Sequence, residues 1–147
     1  MRKLVLLCVA IVTALAALGA AVASASGTET MAFIAVGDAK SEVRVDVGKK
    51  GESPGDSVFF AERLLENGKK VGRTEITCAF YSETAGRCFG TLRLPGGTIE
   101  AGGSELGGKS FSVAVLGGTG KYADATGAVR ITQLGGMRAR YEVELAG

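Results

Sequence analysis

A glycine-rich turn, Gly117-Gly118-Thr119-Gly120, stands out among the residues that could do chemistry. Spaced glycines bind nucleotide phosphates when a helix begins directly after them, because the free backbone N–H groups of that helix bind anions. Here residues 121–127 are too few for such a helix, and Tyr122 stands where a Walker-type motif has Ser or Thr. We therefore predict a tight corner between two antiparallel strands, in which glycine supplies the positive φ angles.

Acid–base chemistry in this chain must come from side chains other than His, because the sequence contains none. This excludes Ser-His-Asp and Cys-His catalysis and His-based zinc sites. The weak catalytic candidates are Asp46, Asp56 and Tyr141. Two of them have a structural alternative, since Tyr141 lies in an apolar alternation typical of a core and Asp56 follows Gly55 at a turn that it would stabilise. Carboxylates at metal-ligand spacing are absent, so we expect no metal and no other cofactor.

The N-terminus is typical of a secretory signal peptide that covers residues 1–25. Arg2 and Lys3 precede an apolar run at residues 4–18, and Ala23-Ser24-Ala25 forms a cleavage site. A membrane anchor is the alternative, but the run is short for a span of ~20 residues. Removing 25 of the 147 residues would leave 122, enough for one domain, and would lower the formal net charge from +2 to zero. We therefore expect a secreted protein without a membrane anchor, and with no basic excess to bind nucleic acid.

Apolar and polar residues alternate along four stretches that lie between glycine-rich turns. Their apolar members are Val43, Val45 and Val47; Ile76, Cys78 and Phe80; Phe111, Val113 and Val115; and Met137, Ala139, Tyr141, Val143 and Leu145. Such alternation is typical of antiparallel sheet with one buried face. Residues 58–67 also fit helical spacing, but their two adjacent Phe residues favour a strand. About eight short strands predict an all-β barrel or sandwich, and a closed eight-stranded barrel would have no exposed edge.

Cys78 and Cys88 would remain after cleavage, since Cys8 lies in the signal peptide. Two cysteines in a secreted chain favour a disulfide. The strands around them would pair as a hairpin with both side chains on one face, provided that the register brings their Cα atoms within ~7 Å. The alternatives are a free Cys78 that lines a cavity and a catalytic thiolate, which no His could activate.

Three motifs occur in the order in which the allene oxide cyclase and dirigent proteins have them. They are Gly55-Asp56-Ser57-Val58-Phe59-Phe60, then Val71-Gly72-Arg73 after a lysine-rich tip, and Leu116-Gly117-Gly118-Thr119-Gly120-Lys121-Tyr122 with Gly127. Together they resemble this superfamily over residues 40–136, and the chain looks like a bacterial, secreted member. The resemblance implies one antiparallel eight-stranded β-barrel with an apolar cavity, often assembled as a homotrimer. We expect residues 26–40 to be an N-terminal lead-in and residues 41–147 to form the barrel domain.

The resemblance also implies site residues. Ile76-Thr77-Cys78-Ala79-Phe80 is similar to the cyclase strand that carries a cavity cysteine, at Cys78. Val45-Asp46-Val47-Gly48 loosely resembles the cyclase strand with a Glu and, two residues on, an Asn; Asp46 would stand for the Glu, and Gly48 replaces the Asn. Asp46 lies on the polar face of its strand. The residues expected to line the cavity are Ile76, Cys78, Phe80, Phe111, Val113, Val115 and Tyr141.

The function expected from these features is binding of an apolar small molecule, a lipid or a phenol, inside the barrel. In the related proteins much of the catalysis comes from the shape of the cavity, which holds a reactive substrate in one near-attack geometry. By resemblance, the chain would steer a cofactor-free cyclisation of the isomerase type, or a stereoselective coupling. The alternative is a non-catalytic extracellular domain with a structural or protein-interaction role. An inhibitor of a secreted hydrolase is a third hypothesis, but no reactive loop marks it.

Overall fold

The computed structural model describes residues 27–51, 53–105 and 108–146. These residues form nine strands: β1 (Glu29–Gly37), β2 (Val43–Val45), β3 (Ser57–Glu66), β4 (Lys69–Ser82), β5 (Ala85–Leu94), β6 (Gly97–Glu105), β7 (Ser110–Gly118), β8 (Thr126–Gly135) and β9 (Arg138–Ala146). Single turns of 3₁₀ helix, Ala39–Ser41 and Gly120–Tyr122, connect β1 to β2 and β7 to β8. The expected signal peptide lies outside the described residues. Within them, no helix has both the length and the apolar character needed to cross a membrane.

Eight of the strands form a closed antiparallel barrel. Their hydrogen-bonded order is β1, β9, β8, β7, β6, β5, β4, β3, and β3 pairs back onto β1 to close the ring. β2 is an additional strand that pairs with β3 outside the ring. The predicted all-β, eight-stranded barrel is thus confirmed, and the stretch that also fitted helical spacing forms β3. β1 lies in the segment expected to be a lead-in, so the barrel begins at Glu29 rather than at residue 41.

One edge of β3 is shared between two strands, and a serine bridges the gap between them. Residues 57–59 pair with β2, and residues 62–65 pair with β1. Between these segments the Ser41 hydroxyl accepts a hydrogen bond from the Ala61 N–H at 2.9 Å and lies 3.1 Å from the Ala61 carbonyl oxygen. Backbone groups need partners where a ladder is interrupted, so Ser41 takes the place of the missing neighbour. The chain can therefore leave the ring after β1 and continue outside it as β2.

One end of the barrel is closed by two turns that pack against each other. Tyr122 is buried at this end, with its hydroxyl 3.8 Å from the Met31 sulfur. The Lys121 N–H donates to the Gly96 carbonyl oxygen at 2.9 Å, which joins the glycine-rich corner to the β5–β6 turn. Gly120 has a φ of +61°, and a Cβ placed there would lie 2.1 Å from that same oxygen. The glycines of this motif thus allow a close backbone contact, as predicted for a corner between antiparallel strands.

The buried core fills the half of the barrel next to this closed end. Its largest fully buried apolar members, Leu64, Ile99, Val129 and Val143, face inward from four different strands. Along β9 the alternate residues Ala139, Tyr141, Val143 and Leu145 are buried, as the sequence predicted. Met137 departs from this pattern because it lies exposed in the β8–β9 turn, with a φ of +58°.

The predicted burial of Val43, Val45 and Val47 is wrong. Their exposed fractions are 58%, 42% and 49%. The physical reason is that β2 lies outside the closed ring, so its valine face continues the outer wall of the barrel, where Val43 pairs with the exposed Phe59. The other face of β2 carries Arg44 toward the mouth of the barrel. Alternation predicted a strand here correctly but assigned its buried face to the wrong side.

Candidate functional site

A cavity of about 170 Å³ opens at the end of the barrel opposite Tyr122. It is lined by Val58, Phe60, Glu62, Thr74, Ile76, Cys78, Phe80, Cys88, Phe89, Gly90, Leu92, Ala101, Gly102, Phe111, Val113, Val129, Ile131, Gln133 and Tyr141. Most of this wall is apolar, and five of its side chains are aromatic rings, four of which come from inward positions of different strands. The polar groups are few and come mainly from Glu62, Thr74, Gln133 and the Tyr141 hydroxyl.

Small residues create the room for this cavity. Phe60, Ile76, Gly90 and Ala101 occupy one row of paired inward positions across β3, β4, β5 and β6. The two neighbouring strands β5 and β6 thus contribute Gly and Ala where a barrel interior would usually be filled by larger side chains. A Cβ on Gly90 would already lie 3.3 Å from Ile76 Cγ1. The open volume therefore depends on residue size at two adjacent positions.

One carboxylate, that of Glu62, lies at the inner end of the cavity. The residue is 9% exposed, and the strand register places it beside Thr74. The Thr74 hydroxyl donates to Glu62 Oε2 at 3.0 Å, and the Tyr141 hydroxyl donates to the same oxygen at 2.6 Å. Both donors are buried as well. Hydrogen bonds to a carboxylate are strong and directional, so the two donors hold Glu62 in one orientation.

The other carboxylate oxygen of Glu62, Oε1, accepts no hydrogen bond from the described residues. Every fully enclosed side-chain oxygen and nitrogen of those residues does have a partner, so Oε1 is not enclosed and is reached from the cavity. A carboxylate that is fixed through one oxygen and open through the other can accept a hydrogen bond or a proton from a bound molecule. Over the described ranges, no cluster of three or more Asp, Glu, Cys or His side chains is arranged to hold a metal ion.

A groove of about 260 Å³ adjoins the cavity and forms its entrance. It shares Val58, Phe60, Glu62 and Gln133 with the cavity wall. Its outer part is more polar and includes Asp38, Glu42 and Arg44 from the segment that leads into β2. A molecule in the cavity can therefore extend past Phe60 and Gln133 toward solvent.

The structure places six of the residues predicted to line the cavity at its wall: Ile76, Cys78, Phe80, Phe111, Val113 and Tyr141. The seventh, Val115, is buried in the core instead. Val115 lies closer to the end of β7 that leads into the closed end of the barrel, below the open space. The ring of Tyr141 is part of the core, as its structural alternative expected, and its hydroxyl donates to Glu62.

The two aspartates considered as catalytic candidates do not line the cavity. Asp56 is buried in the loop between β2 and β3, where its oxygens accept the Val47 N–H at 2.7 Å and the Ser53 N–H at 2.8 Å. These hydrogen bonds, the one from Val47 above all, lower the pKa of Asp56. Asp46 is exposed in the same loop. Asp56 therefore stabilises a turn, and neither carboxylate is placed to act on a molecule inside the barrel.

Cys78 and Cys88 form a disulfide between paired positions of β4 and β5. Both residues line the cavity, so the disulfide is part of its wall. A bonded pair of sulfurs offers no thiolate nucleophile. The disulfide interpretation therefore holds in this structure, together with the cavity position that the family resemblance implied for Cys78.

Sequence reasoning missed Glu62 and Thr74. A signal was available, because Val58, Phe60, Glu62 and Leu64 alternate along the strand and place a carboxylate at an inward position. Burying a charge is costly unless it is hydrogen-bonded, so an acid in an apolar row points to a specific partner. That partner, Tyr141, is 79 residues away along the chain. Only the closure of the barrel brings the two together.

Residues 30–146 match the family described as "Allene oxide cyclase barrel like domain". No curated protein matches the sequence. Among solved structures, the chain is similar to one named "Pyocyanin demethylase", with 30% identity and a TM-score of 0.73 over 80% of this chain and 99% of that chain.

Two further structures share the fold at lower identity. The Diels–Alderase AbmU from Streptomyces koyangensis is 17% identical, with a TM-score of 0.66 over 79% of this chain and 63% of that chain. The pterocarpan synthase dirigent protein GePTS1 is 18% identical, with a TM-score of 0.63 over 82% of this chain and 89% of that chain. The family match covers nearly the whole described barrel, and the closed eight-stranded topology agrees with it. The chain therefore belongs to the allene oxide cyclase barrel-like family.

Proposed function

We propose that the protein binds a small, largely apolar molecule in the barrel cavity, and that Glu62 accepts a proton from one position of it and returns the proton to another in an isomerisation or cyclisation. The observation that carries the proposal is the open oxygen Oε1 of a buried, firmly held carboxylate at the inner end of an apolar cavity. We further propose that the protein acts after secretion, on the basis of the signal-peptide pattern in residues 1–25.

The size and lining of the cavity support binding. A dry apolar cavity of roughly 150 Å³ is enough to hold benzene. The cavity here is of about 170 Å³ and continues into the entrance groove. It thus has room for one aromatic ring and for a substituent or second ring that extends toward the mouth. Few polar groups, placed at one point of an apolar wall, are the usual composition of a small-molecule site.

The position of Glu62 supports a reaction as well as binding. A side chain that takes a proton in the transition state accelerates a reaction by roughly 10²–10⁴-fold when it is held within hydrogen-bond reach. Tyr141 and Thr74 hold the Glu62 carboxylate through Oε2, so Oε1 keeps a fixed position without having to reorganise. The surrounding walls would restrict the bound molecule to few conformations, which favours a cyclisation.

The named relatives support chemistry on small molecules. The structure at 30% identity is named for a reaction on pyocyanin, and the two at lower identity are named as a Diels–Alderase and a pterocarpan synthase. Pyocyanin is therefore a named compound to offer to this protein as a ligand and substrate, and its three fused rings would extend from the cavity into the entrance groove.

Binding can be tested by fluorescence titration. The sequence contains no Trp, so the emission of naphthalene can be followed without interference from indole. We expect saturable binding of naphthalene or pyocyanin at one site per chain. If neither compound binds, the cavity is not a ligand site, and the non-catalytic structural alternative is favoured.

The role of Glu62 can be tested by comparing turnover of pyocyanin in two variants. Glu62→Gln keeps the shape of the side chain and removes its basicity, so we expect binding to persist and turnover to fall by about 10²-fold or more. Glu100→Gln is the matched control, because Glu100 also accepts a threonine hydroxyl, that of Thr91 at 2.7 Å, but does not line the cavity. Unchanged turnover in Glu62→Gln would rule out the proton-acceptor role. If the wild type binds pyocyanin but does not convert it, pyocyanin is a ligand of the protein and not a substrate.

A further inference from the structure

We infer that the natural ligand is an aromatic molecule of one or two rings that carries an O–H or N–H donor, and that this donor binds Glu62 Oε1. The inference rests on the proposed binding function and specifies its ligand class. It narrows the ligand from apolar molecules in general, lipids included, to those with a donor at one end.

The first argument is the unequal use of the two carboxylate oxygens. The hydroxyls of Thr74 and Tyr141 both donate to Oε2, and the described residues supply no donor to Oε1. Glu62 is 9% exposed, so little bulk water reaches it. Leaving a buried polar group without a partner costs free energy, and a ligand that donates to Oε1 recovers this cost on binding.

The second argument is the aromatic character of the walls. Phe60, Phe80, Phe111 and Tyr141 border the cavity, and the rings of Phe60, Phe80 and Phe111 are only half-buried. Aromatic rings pair favourably in stacked and edge-to-face arrangements, beyond the gain from burial alone. A ring in the cavity would cover these half-buried faces, and its substituent would reach the inner end where Glu62 lies.

The third argument concerns charge. Among the described residues, the cavity wall contains no Lys and no Arg, and Glu62 is its only charged residue. Arg44 borders the entrance groove together with Glu62 but does not line the cavity wall. A carboxylate group bound against Glu62 from inside the cavity, such as that of a fatty acid, would meet no cation in the described cavity wall, and like charges repel strongly where water is excluded. A neutral donor or a cation meets no such barrier.

Four naphthalene probes of one ring skeleton test the inference by fluorescence or calorimetric titration at pH 7. They are naphthalene without a donor, 2-naphthol with a neutral O–H donor, protonated 2-naphthylmethylamine with a cationic donor, and 2-naphthoate with a carboxylate. We expect at least one donor probe to bind about 10-fold or more tighter than naphthalene, as a hydrogen bond to a charged group would give. We expect 2-naphthoate to bind more weakly than naphthalene. Whichever donor probe binds tighter identifies the ligand as a phenol-like molecule or as an aromatic amine.

Two variants test whether the preference for donor probes over naphthalene comes from Glu62. Glu62→Leu removes the acceptor, and we expect the preference for donor probes to fall below about 3-fold. Glu62→Gln keeps an acceptor but removes the charge, so it should abolish the preference for the amine and retain part of that for 2-naphthol. Far-UV circular dichroism checks that each variant is folded. If a variant does not fold, the comparison of the four probes on the wild-type protein still tests the inference.

The outcomes separate this inference from the proposed function. If naphthalene binds as tightly as both donor probes, or if 2-naphthoate binds tightest, the donor-bearing ligand class is overturned while cavity binding stands. If none of the four probes binds to the wild type, both proposals fail together. A donor preference that persists unchanged in Glu62→Leu also overturns the inference, because the donor then binds elsewhere.

Discussion

The Tyr141 hydroxyl donates a 2.6 Å hydrogen bond to Glu62 Oε2, which joins β9 to β3 through the barrel interior although β1 lies between these strands in the sheet. The contact links the last strand of the chain to the first half of the barrel. It also fixes the carboxylate of Glu62, the one carboxylate in the described part of the cavity wall. Stability and ligand recognition therefore depend on the same pair of side chains.

Replacing Tyr141 with Phe removes this hydrogen bond and keeps the ring. We expect the free energy of unfolding to fall by about 1–3 kcal/mol, because Glu62 then loses a buried donor. Urea denaturation measures the change. Tyr122→Phe is the matched control, since the Tyr122 hydroxyl contacts a methionine sulfur at 3.8 Å, a weak acceptor, and the exposed Lys121 amine, but no buried carboxylate among the described residues. If the free energy of unfolding falls equally in the two variants, the hydrogen bond to Glu62 contributes no more to stability than the contacts of the Tyr122 hydroxyl.

Replacing Ala101 with Leu fills the cavity from β6. Because space is already present, we expect the free energy of unfolding to change by less than about 1 kcal/mol, whereas overpacking of a filled core usually costs more. Binding of naphthalene should be lost. Ala114→Leu adds the same atoms to an exposed position of β7 and should leave binding intact. Retained binding in Ala101→Leu would place the ligand outside the cavity.

Asp56 gives the protein a defined response to acid. Hydrogen bonds from the Val47 and Ser53 backbone lower the pKa of Asp56 in the folded state, so its stabilising contribution is present above the unfolded-state pKa and is lost as pH falls toward the folded-state pKa. We expect Asp56→Asn to be less stable than the wild type at pH 7, and the difference to shrink as the pH is lowered below about 4. Urea denaturation between pH 7 and pH 2 measures this.

Asp46→Asn controls for a simple loss of charge in the same loop. Asp46 is exposed, and the one hydrogen bond it accepts within the described residues is a long one of 3.5 Å from the Gly51 N–H. Its substitution should therefore change the free energy of unfolding little at any pH. A constant difference between Asp56→Asn and the wild type across the pH range would contradict the proposed hydrogen-bond origin.

The disulfide should stabilise the hairpin of β4 and β5 and shape the cavity wall. Closing a loop of ten residues by the Cys78–Cys88 bond is expected to contribute about 2–3 kcal/mol. Reduction with dithiothreitol, or the double substitution Cys78→Ala and Cys88→Ala, should lower the melting temperature. Ligand affinity should fall too, since both cysteines line the cavity. An unchanged affinity after reduction would show that the ligand does not contact this part of the wall.

Much of the fold could be predicted because its causes are local. Alternation along β4, β7 and β9 reports which face of a strand is buried, and the glycine-rich corner reports a tight turn. The same logic failed for Val43, Val45 and Val47, because alternation shows that a strand has two different faces but not which one meets the core. Whether a strand lies inside or outside the ring depends on closure, which no local pattern encodes.

The site was harder to predict than the fold because its residues meet only through long-range pairing. Tyr141 and Cys78 were recognisable from their rows of apolar neighbours, but the importance of Glu62 follows from the distance between strands that are far apart in sequence. Asp56, in contrast, looked like a candidate acid. Its two backbone donors explain why a carboxylate next to a glycine turn is more often structural.

The closed end of the barrel has a kinetic consequence. Tyr122 and the two packed glycine turns block that end, while the cavity opens at the other. Any molecule that enters must leave by the same mouth, past Phe60 and Gln133. Under the proposed function, a product that dissociates slowly excludes the next substrate, so product inhibition should be competitive. Product release through this single opening would then limit the turnover rate.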